Sequence, residues 1–268
     1  MLTVYPDASQ YSRDIVSYVK NLQSIPSSLT MLHISEYRHI HDQSFVVLLS
    51  GEPDDLQSHI IANLRILPYR LDRPDVIYYP FLYSSLCERY TFEIPVQPKQ
   101  KFCAFMYRQN HRHRNDWFHS LHALRHVDAL GDACKNVEIA STRGVYNDKE
   151  TYNDIAVKLY SNYSFVLAIE NTWRDGYFTE KLLNPIMAHS IPLYWGHPSA
   201  FEYVNKKRVL YLPDFSTIED LYTELCRLEN SVDAYKEIIN QPWYTEKGQP
   251  DNVKAYMIEA LSSHFSST

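Results

Sequence analysis

Residues 163 to 196 read YSFVLAIENTWRDGYFTEKLLNPIMAHSIPLYWG, and this stretch decides the fold. Its first seven residues are apolar apart from Ser164, which is typical of a strand buried on both faces. A polar loop with a turn at Asp175-Gly176 follows, then a helix from about Thr179 and a second apolar run at Ile191 to Trp195. A strand, a helix and a strand in this order predict a parallel βαβ unit.

The predicted start of this helix carries the residues best suited to chemistry. Thr179 can cap the helix, which places Glu180 and Lys181 in its first turn, where free N–H groups and the positive helix end favour anions. Lys181 adds a full positive charge, so a diphosphate leaving group fits here. Glu180 would repel a phosphate, and we expect it to bind a hydroxyl of a ribose or another sugar. Taken singly, the pair also fits an ordinary capping turn.

The first third of the chain reads as alternating helix and strand. Tyr11 to Leu22 has helical apolar spacing, whereas Ser44 to Leu49 and Val76 to Leu82 are apolar runs that predict strands. Glu93 to Gln100 contains two prolines and little apolar periodicity. We interpret it as the linker between two domains.

The remainder repeats the pattern of strands and helices. We predict strands at Phe102 to Met106 and Val209 to Leu212, helices from about Asn115 and through Ile218 to Ile239, and a terminal helix at Asn252 to Phe265. A length of 268 residues suits two small domains that face a cleft. The predicted organisation is α/β, with an N-terminal domain at residues 1–95, a second domain at 96–250 and a C-terminal helix at 251–268.

Composition excludes several classes of function. The 26 basic and 32 acidic residues give a net charge of −6, so a general electrostatic affinity for nucleic acid or anionic lipid is not expected. No segment approaches the roughly 20 apolar residues that cross a bilayer. The sequence predicts a chain that is soluble as given, either cytoplasmic or the catalytic domain of a larger or membrane-anchored protein. Its four cysteines form no C-x-x-C pair, which disfavours a zinc framework.

The assembled motifs resemble the signature region of the α-1,3/α-1,4-fucosyltransferase family. The similarity covers residues 100 to 245 well and residues 1 to 95 only loosely. The matching segments are E-N at 170–171, Y-F-T-E-K at 177–181, N-P at 184–185, I-P-L-Y-W-G at 191–196, K-F-C-A-F at 101–105, R-N-D-W-F at 114–118 and L-P-D-F at 212–215.

This resemblance implies a GT-B architecture, in which two Rossmann-like domains face a cleft. The C-terminal domain would hold GDP-fucose, and the N-terminal domain would supply the acceptor side and the general base. By position in the family motifs, Arg114 and Lys181 would contact the diphosphate, Glu180 would hold ribose or fucose hydroxyls, and Asn171 and Tyr177 would line the same donor pocket.

The implied activity is inverting transfer of L-fucose from GDP-fucose to a hydroxyl of an acceptor glycan, with α-1,3 linkage and no cofactor beyond the donor substrate. Two other interpretations fit the same residues. The donor could be another GDP- or UDP-sugar, since Glu180 and Tyr177 would hold most hydroxylated rings. The chain could also be a non-catalytic carbohydrate-binding domain, although such a domain has no need of a diphosphate site.

No metal is expected at the donor site. The sequence contains no D-x-D pair, which metal-dependent transferases of the GT-A type use to hold a divalent ion. The histidines of the predicted helix and the H-x-H that precedes it, at His111 and His113, lack a carboxylate or cysteine at ligand spacing. From the residues alone, either Arg112 or Arg114 could face solvent, and the family motif favours Arg114 for the site.

The general base is the least determined residue. Glu52 follows the apolar run that ends at Leu49, so it is predicted to stand at the carboxyl end of an N-terminal strand facing the cleft. The stretch S-G-E-P at 50–53 also resembles a family segment with a glutamate in this place. An exposed turn glutamate fits equally well. Asp72, which precedes the next predicted strand, is the alternative base.

Overall fold

A computed structural model describes residues 1–5, 13–34, 44–51, 53, 61–80, 99–138 and 152–267. The strands of this part of the chain are β1 (Leu2–Val4), β2 (Leu29–His33), β3 (Phe45–Leu49), β4 (Leu64–Leu67), β5 (Val76–Tyr78), β6 (Lys101–Phe105), β7 (Asp128–Ala129), β8 (Tyr163–Ile169), β9 (Ile191–Trp195) and β10 (Leu210–Tyr211). The helices are α1 (Arg13–Lys20), α2 (Arg112–Leu124), α3 (Tyr152–Tyr160), α4 (Glu180–Met187), α5 (Ile218–Glu229), α6 (Val232–Ile239) and α7 (Pro250–Ser266).

The strands form two parallel sheets of five strands each. The first sheet has the order β1-β2-β3-β4-β5, and the second has the order β10-β9-β8-β6-β7. In the second sheet Phe165 of β8 pairs with Cys103 of β6 and Ile191 of β9, so β8 lies at the centre. Every residue of β8 is buried, because helices cover both faces of such a sheet. Strand order reverses between β6 and β8, and crevices at such points are where ligands bind in α/β sheets.

The predicted elements of the second half are confirmed with small shifts. Strands β8 and β9 have the predicted bounds, and α4 begins at Glu180 with Thr179 as its cap. The helix predicted from about Asn115 begins three residues earlier, at Arg112. Its polar first turn, which carries no apolar periodicity, hid this start from the sequence pattern.

Three strands of the first sheet, β1, β2 and β4, were not predicted. Thr30, His33 and Arg65 interrupt their apolar runs, yet all three side chains are buried. The helix predicted at Tyr11 to Leu22 is present as α1, within the described residues. Most of the predicted linker lies outside those residues, so the domain boundary near residue 95 stays a prediction.

Helix α7 returns the chain to the first sheet. Its Met257 and Leu261 join one core with Ile15 of α1 and Val47 of β3. The helix predicted at the C-terminus is thus present, and its Phe265 contacts Phe45 of β3. No helix in the described ranges has both the length and the apolar character needed to span a bilayer.

A polar clamp joins the loop after β8 and the segment after β9 to Arg70, which follows β4, and to Tyr78 of β5. The Arg70 guanidinium donates to both carboxylate oxygens of Glu202, at 2.7 and 2.6 Å, and to Asp175 Oδ1 at 3.1 Å. The Tyr78 hydroxyl donates to the Gly176 carbonyl at 2.8 Å. Gly176 has a φ of +79°, and a Cβ there would lie 2.9 Å from the Tyr78 ring, so only glycine fits this contact. The clamp fixes the loop that follows the central strand.

We expect this clamp to weaken in acid. Hydrogen bonding to Arg70 lowers the pKa of Glu202 from 4.5 to about 2, so its stabilisation is present above 4.5 and is lost as pH falls towards 2. Glu202→Gln should lower the free energy of unfolding at neutral pH, and the gap to the unmodified chain should close on acidification. Urea titrations across this range measure the gap. A gap that stays constant would contradict the assignment.

Candidate donor site

The carboxyl end of β8 is joined to the start of α4 by a buried carboxylate. Glu170, which is 0% exposed, accepts hydrogen bonds from the Thr179 backbone N–H at 2.7 Å and from the Thr179 hydroxyl at 2.9 Å. The Lys181 ammonium lies 3.8 Å from the same carboxylate. Glu170 therefore fixes where the first turn of α4 begins relative to the central strand.

Lys181 sits in a charged cluster at this helix start. Its Nζ donates to Glu180 Oε1 at 3.0 Å and to Thr179 Oγ1 at 3.1 Å. Burial alone would lower the pKa of Lys181, but the charges of Glu180 and Glu170 raise it above its usual value. Burial would raise the pKa of Glu180, and the adjacent Lys181 outweighs that effect and lowers it. Lys181 is thus a cation and Glu180 an anion at neutral pH.

The pKa of Glu170 shifts in the opposite direction to that of Glu180. Complete burial raises its pKa, and the Lys181 charge opposes this shift only in part. Removal of Lys181 would leave this carboxylate buried with no cation beside it among the described residues. Such uncompensated charges are costly to bury.

Arg114 reaches the same strand end from the first turn of α2. It is 4% exposed, its guanidinium carbon lies 4.4 Å from the Tyr107 ring centroid, and its Nε donates to the Ile169 carbonyl at 3.2 Å. Its Nη2 donates to Asn171 Oδ1. Arg112, the other candidate, is exposed on the outer side of the helix. Of the two arginines, Arg114 is the one that points towards the end of β8.

The second sheet therefore places two cations beside one strand end. Lys181 is linked to it through Glu170, and Arg114 through Asn171. Among the described residues, the partners of Arg114 are a ring, a carbonyl and an amide oxygen, none of which carries charge. Its positive charge is therefore not neutralised within the described chain, which suits an anionic ligand.

Tyr177 lies on the other side of the loop. It is buried and packs with Leu67 and Tyr69 of the first sheet, in a small apolar cluster. It is near enough to Lys181 to contribute to the raised pKa of that residue. Its predicted place in the donor pocket stays a prediction.

The two candidate bases differ in their surroundings. Glu52 lies outside the described residues, but the carbonyl of Pro53 accepts a hydrogen bond from Arg174, in the loop after β8. Asp72 lies in a cleft of about 580 Å³. This cleft runs between the edge of the first sheet and α7 and is lined by Arg70, Leu71, Asp72, Val76, Tyr78, Tyr203, Lys247, Asn252, Val253 and Tyr256. Arg114 and Lys181, the cationic pair, are not among these lining residues.

Glu170 is a residue whose importance the sequence did not reveal. It appeared only as part of the motif at 170–171, with no role assigned. A signal was present, because a carboxylate that directly follows an all-buried strand needs a partner of its own. Gly196, at the end of β9, is part of the same arrangement, since a Cβ there would lie 3.1 Å from Glu170 Cγ and 2.2 Å from the Tyr194 hydroxyl.

Histidines lie near the site without forming a metal centre in the described residues. His113 Nε2 is 3.0 Å from the Glu170 carbonyl, and its ring centroid is 5.0 Å from that of Trp195. No group of three or more His, Cys, Asp or Glu side chains in the described ranges is arranged to hold a metal ion.

Comparisons with known proteins place this arrangement in a family. A protein of Acanthamoeba polyphaga mimivirus named "Putative fucosyltransferase" is 38% identical over 251 residues, which cover 89% of this chain and 41% of that protein. The alpha-(1,3)-fucosyltransferase FucT of Helicobacter pylori is 31% identical over 137 residues, covering 50% of this chain and 28% of its own length. The chain thus spans less than half the length of these curated relatives.

A solved structure extends the likeness to both sheets. The crystal structure of an alpha1,3-fucosyltransferase with GDP-fucose superposes with a TM-score of 0.69 at 18% identity, covering 98% of this chain and 89% of that one. The GT-B fold predicted from the sequence is thereby confirmed. The family model described as "Glycosyltransferase family 10 (fucosyltransferase) C-term" matches residues 96–257, which include Arg114 and Lys181. The chain belongs to glycosyltransferase family 10, the fucosyltransferases.

Proposed function

We propose that this chain transfers L-fucose from GDP-fucose to a hydroxyl of an acceptor glycan, with inversion at the anomeric carbon and α-1,3 linkage. The observation that carries this proposal is the pair of cations, Arg114 and Lys181, at the carboxyl end of β8 beside the start of α4. Family membership supports the donor. The name of the Helicobacter pylori relative supports the linkage.

The geometry suggests separate roles in the reaction for the two cations and for a general base. The diphosphate of the donor would lie between Arg114 and Lys181, near the positive end of α4. A base removes the proton of the acceptor hydroxyl, and its oxygen bonds to C1 of fucose as the bond from C1 to the phosphate oxygen breaks. The electron pair leaves with GDP, and the two cations stabilise the charge that develops there. One displacement inverts the anomeric centre.

Glu180 has a different part in this scheme. Its ionised carboxylate accepts hydrogen bonds, and Lys181 is its neighbour at 3.0 Å. An ionised carboxylate can only accept hydrogen bonds, so Glu180 would hold a hydroxyl of ribose or fucose, which can donate one. Glu180→Ala should impair donor use while the fold persists.

A donor screen tests the proposal. The chain would be incubated with GDP-fucose, GDP-mannose, UDP-galactose and UDP-N-acetylglucosamine, each with a panel of neutral oligosaccharides, and nucleotide release and product mass would be measured. Transfer from GDP-fucose alone is the expected result. Transfer from another donor would change the assigned substrate, and nucleotide binding without turnover for every donor would indicate a non-catalytic domain.

We expect GDP to stabilise the chain without added metal. The cations that would contact the diphosphate are side chains, so no divalent ion is needed to neutralise it. The melting temperature should rise with GDP to the same extent in EDTA as in magnesium. A melting shift that disappears in EDTA would show that a metal ion takes part in nucleotide binding.

A further inference from the structure

An aromatic corner stands beside the proposed donor site. It consists of Trp173, in the loop after β8, together with Trp195 and His197, at and just after the end of β9. The Trp173 ring centroid lies 5.3 Å from that of Trp195 and 5.8 Å from that of His197, with interplanar angles of 60° and 74°. Trp173 is 45% exposed. A large aromatic side chain is thus held by two others while much of its surface faces solvent.

The aromatic corner lies where the two halves of the chain meet. Trp173 is two residues from Asn171, which binds Arg114. The residue that follows it, Arg174, places its guanidinium 3.6 Å from the Tyr69 ring centroid and donates to the Pro53 carbonyl, both in the N-terminal half. The loop that carries Trp173 is therefore joined to Arg114 through Asn171 and to the N-terminal half through Arg174. In the proposed reaction the acceptor approaches the donor sugar from that half.

His197 supplies a polar group with a defined orientation. The Gly176 N–H donates to Ser199 Oγ at 2.7 Å, and Ser199 Oγ lies 2.8 Å from His197 Nδ1. Nδ1 also accepts from the Ser199 backbone N–H, at 3.3 Å. A ring nitrogen that accepts leaves the proton of the neutral imidazole on Nε2. His197 can therefore donate a hydrogen bond from Nε2, and its ring is in edge contact with the Trp173 ring, with 5.8 Å between the centroids.

An exposed aromatic face with a polar donor beside it matches the chemistry of a sugar ring. The C–H face of a pyranose is apolar and stacks on an indole, while its hydroxyls need hydrogen-bonding partners. We propose that Trp173, Trp195 and His197 bind a neutral sugar ring of the acceptor, with one ring face against Trp173 and one hydroxyl on His197 Nε2. This inference rests on the proposed function for the identity of the acceptor, but it concerns binding and needs no turnover.

Calorimetric titration in saturating GDP tests this site directly. The probes are neutral di- and tetrasaccharides built from galactose, N-acetylglucosamine and mannose. We expect at least one of them to bind the unmodified chain and Trp173→Ala to raise its Kd by about five- to tenfold. Trp173→Phe should retain most of the affinity, because it keeps an aromatic face. His197→Ala should weaken binding through loss of one hydrogen bond.

The controls separate this site from its neighbours. Val232→Ala removes a comparably exposed apolar side chain, 47% exposed at the start of α6 and outside the cleft that holds Asp72, and should leave the saccharide Kd unchanged. The Kd of GDP should be the same in Trp173→Ala as in the unmodified chain, and melting curves verify that the variant is folded. A weakened Kd for GDP would assign the aromatic corner to the guanine ring and overturn the proposal.

Two further outcomes would also overturn it, namely an unchanged saccharide Kd in Trp173→Ala and no saccharide binding to the unmodified chain. The result can be distinguished from a failure of the proposed function. Saccharide binding that depends on Trp173, without fucose transfer, would support this site and refute the transferase activity. If Trp173→Ala transfers fucose with the same dependence of rate on acceptor concentration as the unmodified chain, the transferase activity is supported and this acceptor site is refuted.

Discussion

Lys181→Ala is expected to lower the rate of fucose transfer by ~10² to 10³. This is the usual cost of removing one preorganised hydrogen-bond donor that stabilises the charge developing in the transition state. Although burial opposes it, the charges of Glu180 and Glu170 hold Lys181 in its charged form. Its charge would be most needed as the bond to the diphosphate breaks, so turnover should fall more than donor affinity. Steady-state kinetics with GDP-fucose, together with calorimetric binding of GDP, measure the two effects separately.

The loss of Lys181 also has a structural consequence that must be controlled. Glu170 is completely buried, and in the part of the chain that the structure describes Lys181 is the cation beside it. Lys181→Ala should therefore lower the melting temperature as well as the rate. Lys181→Arg keeps the charge and should restore much of the stability, which separates loss of charge from loss of fold. Lys254→Ala, on the exposed face of α7, is a matched surface control that should change neither property.

Arg114→Ala should impair transfer to a similar degree. Arg114 has uncharged partners among the described residues. Its removal therefore leaves none of their buried carboxylates without a cationic partner. We expect a smaller loss of stability than for Lys181→Ala at a comparable loss of rate. An Arg114→Ala variant with the rate of the unmodified chain would remove this residue from the mechanism.

The second large effect concerns the general base. Glu52→Gln keeps the shape of the side chain and its hydrogen bonding but cannot accept a proton. If Glu52 is the base, the variant should retain GDP-fucose binding and lose ~10² to 10⁴ in transfer rate, the range typical of general acid–base catalysis. Rapid-quench measurement of product formed in a single turnover reports the chemical step without product release.

Asp72→Asn is the matched comparison for this prediction. Asp72 lies in the cleft beside α7, whereas Pro53, next to Glu52, contacts the loop that follows the central strand. We therefore expect Asp72→Asn to transfer fucose at close to the normal rate. Normal transfer by Glu52→Gln with a slow Asp72→Asn would move the assignment to Asp72. Normal transfer by both variants would place the base elsewhere.

The second sheet was more predictable than the first for a physical reason. Strand β8 is an almost uninterrupted apolar run, and Thr179 is a strong cap, so both ends of the βαβ unit are visible in the sequence. In the first sheet, β2 and β4 contain Thr30, His33 and Arg65, whose burial depends on partners elsewhere. Local pattern carries no information about such partners, and these strands were missed.

The site shows the same division. The charged helix start at Glu180 and Lys181 follows from local sequence, and its position relative to β8 follows from the βαβ order. The role of Glu170 depends on a hydrogen bond to Thr179, nine residues further along the chain, across a loop whose path the sequence does not specify. The inward direction of Arg114 depends on packing against Tyr107. Neither contact could be derived from spacing alone.

Calorimetric titration with GDP-fucose tests most directly whether Arg114 and Lys181 form a diphosphate site. The unmodified chain should bind GDP-fucose and GDP at one site, both much more tightly than guanosine or free fucose. The Arg114→Ala, Lys181→Ala double variant, shown by melting curves to be folded, should lose that preference for the diphosphate. Equal affinity for GDP-fucose in the folded double variant and the unmodified chain would contradict the assignment, as would the absence of binding to the unmodified chain.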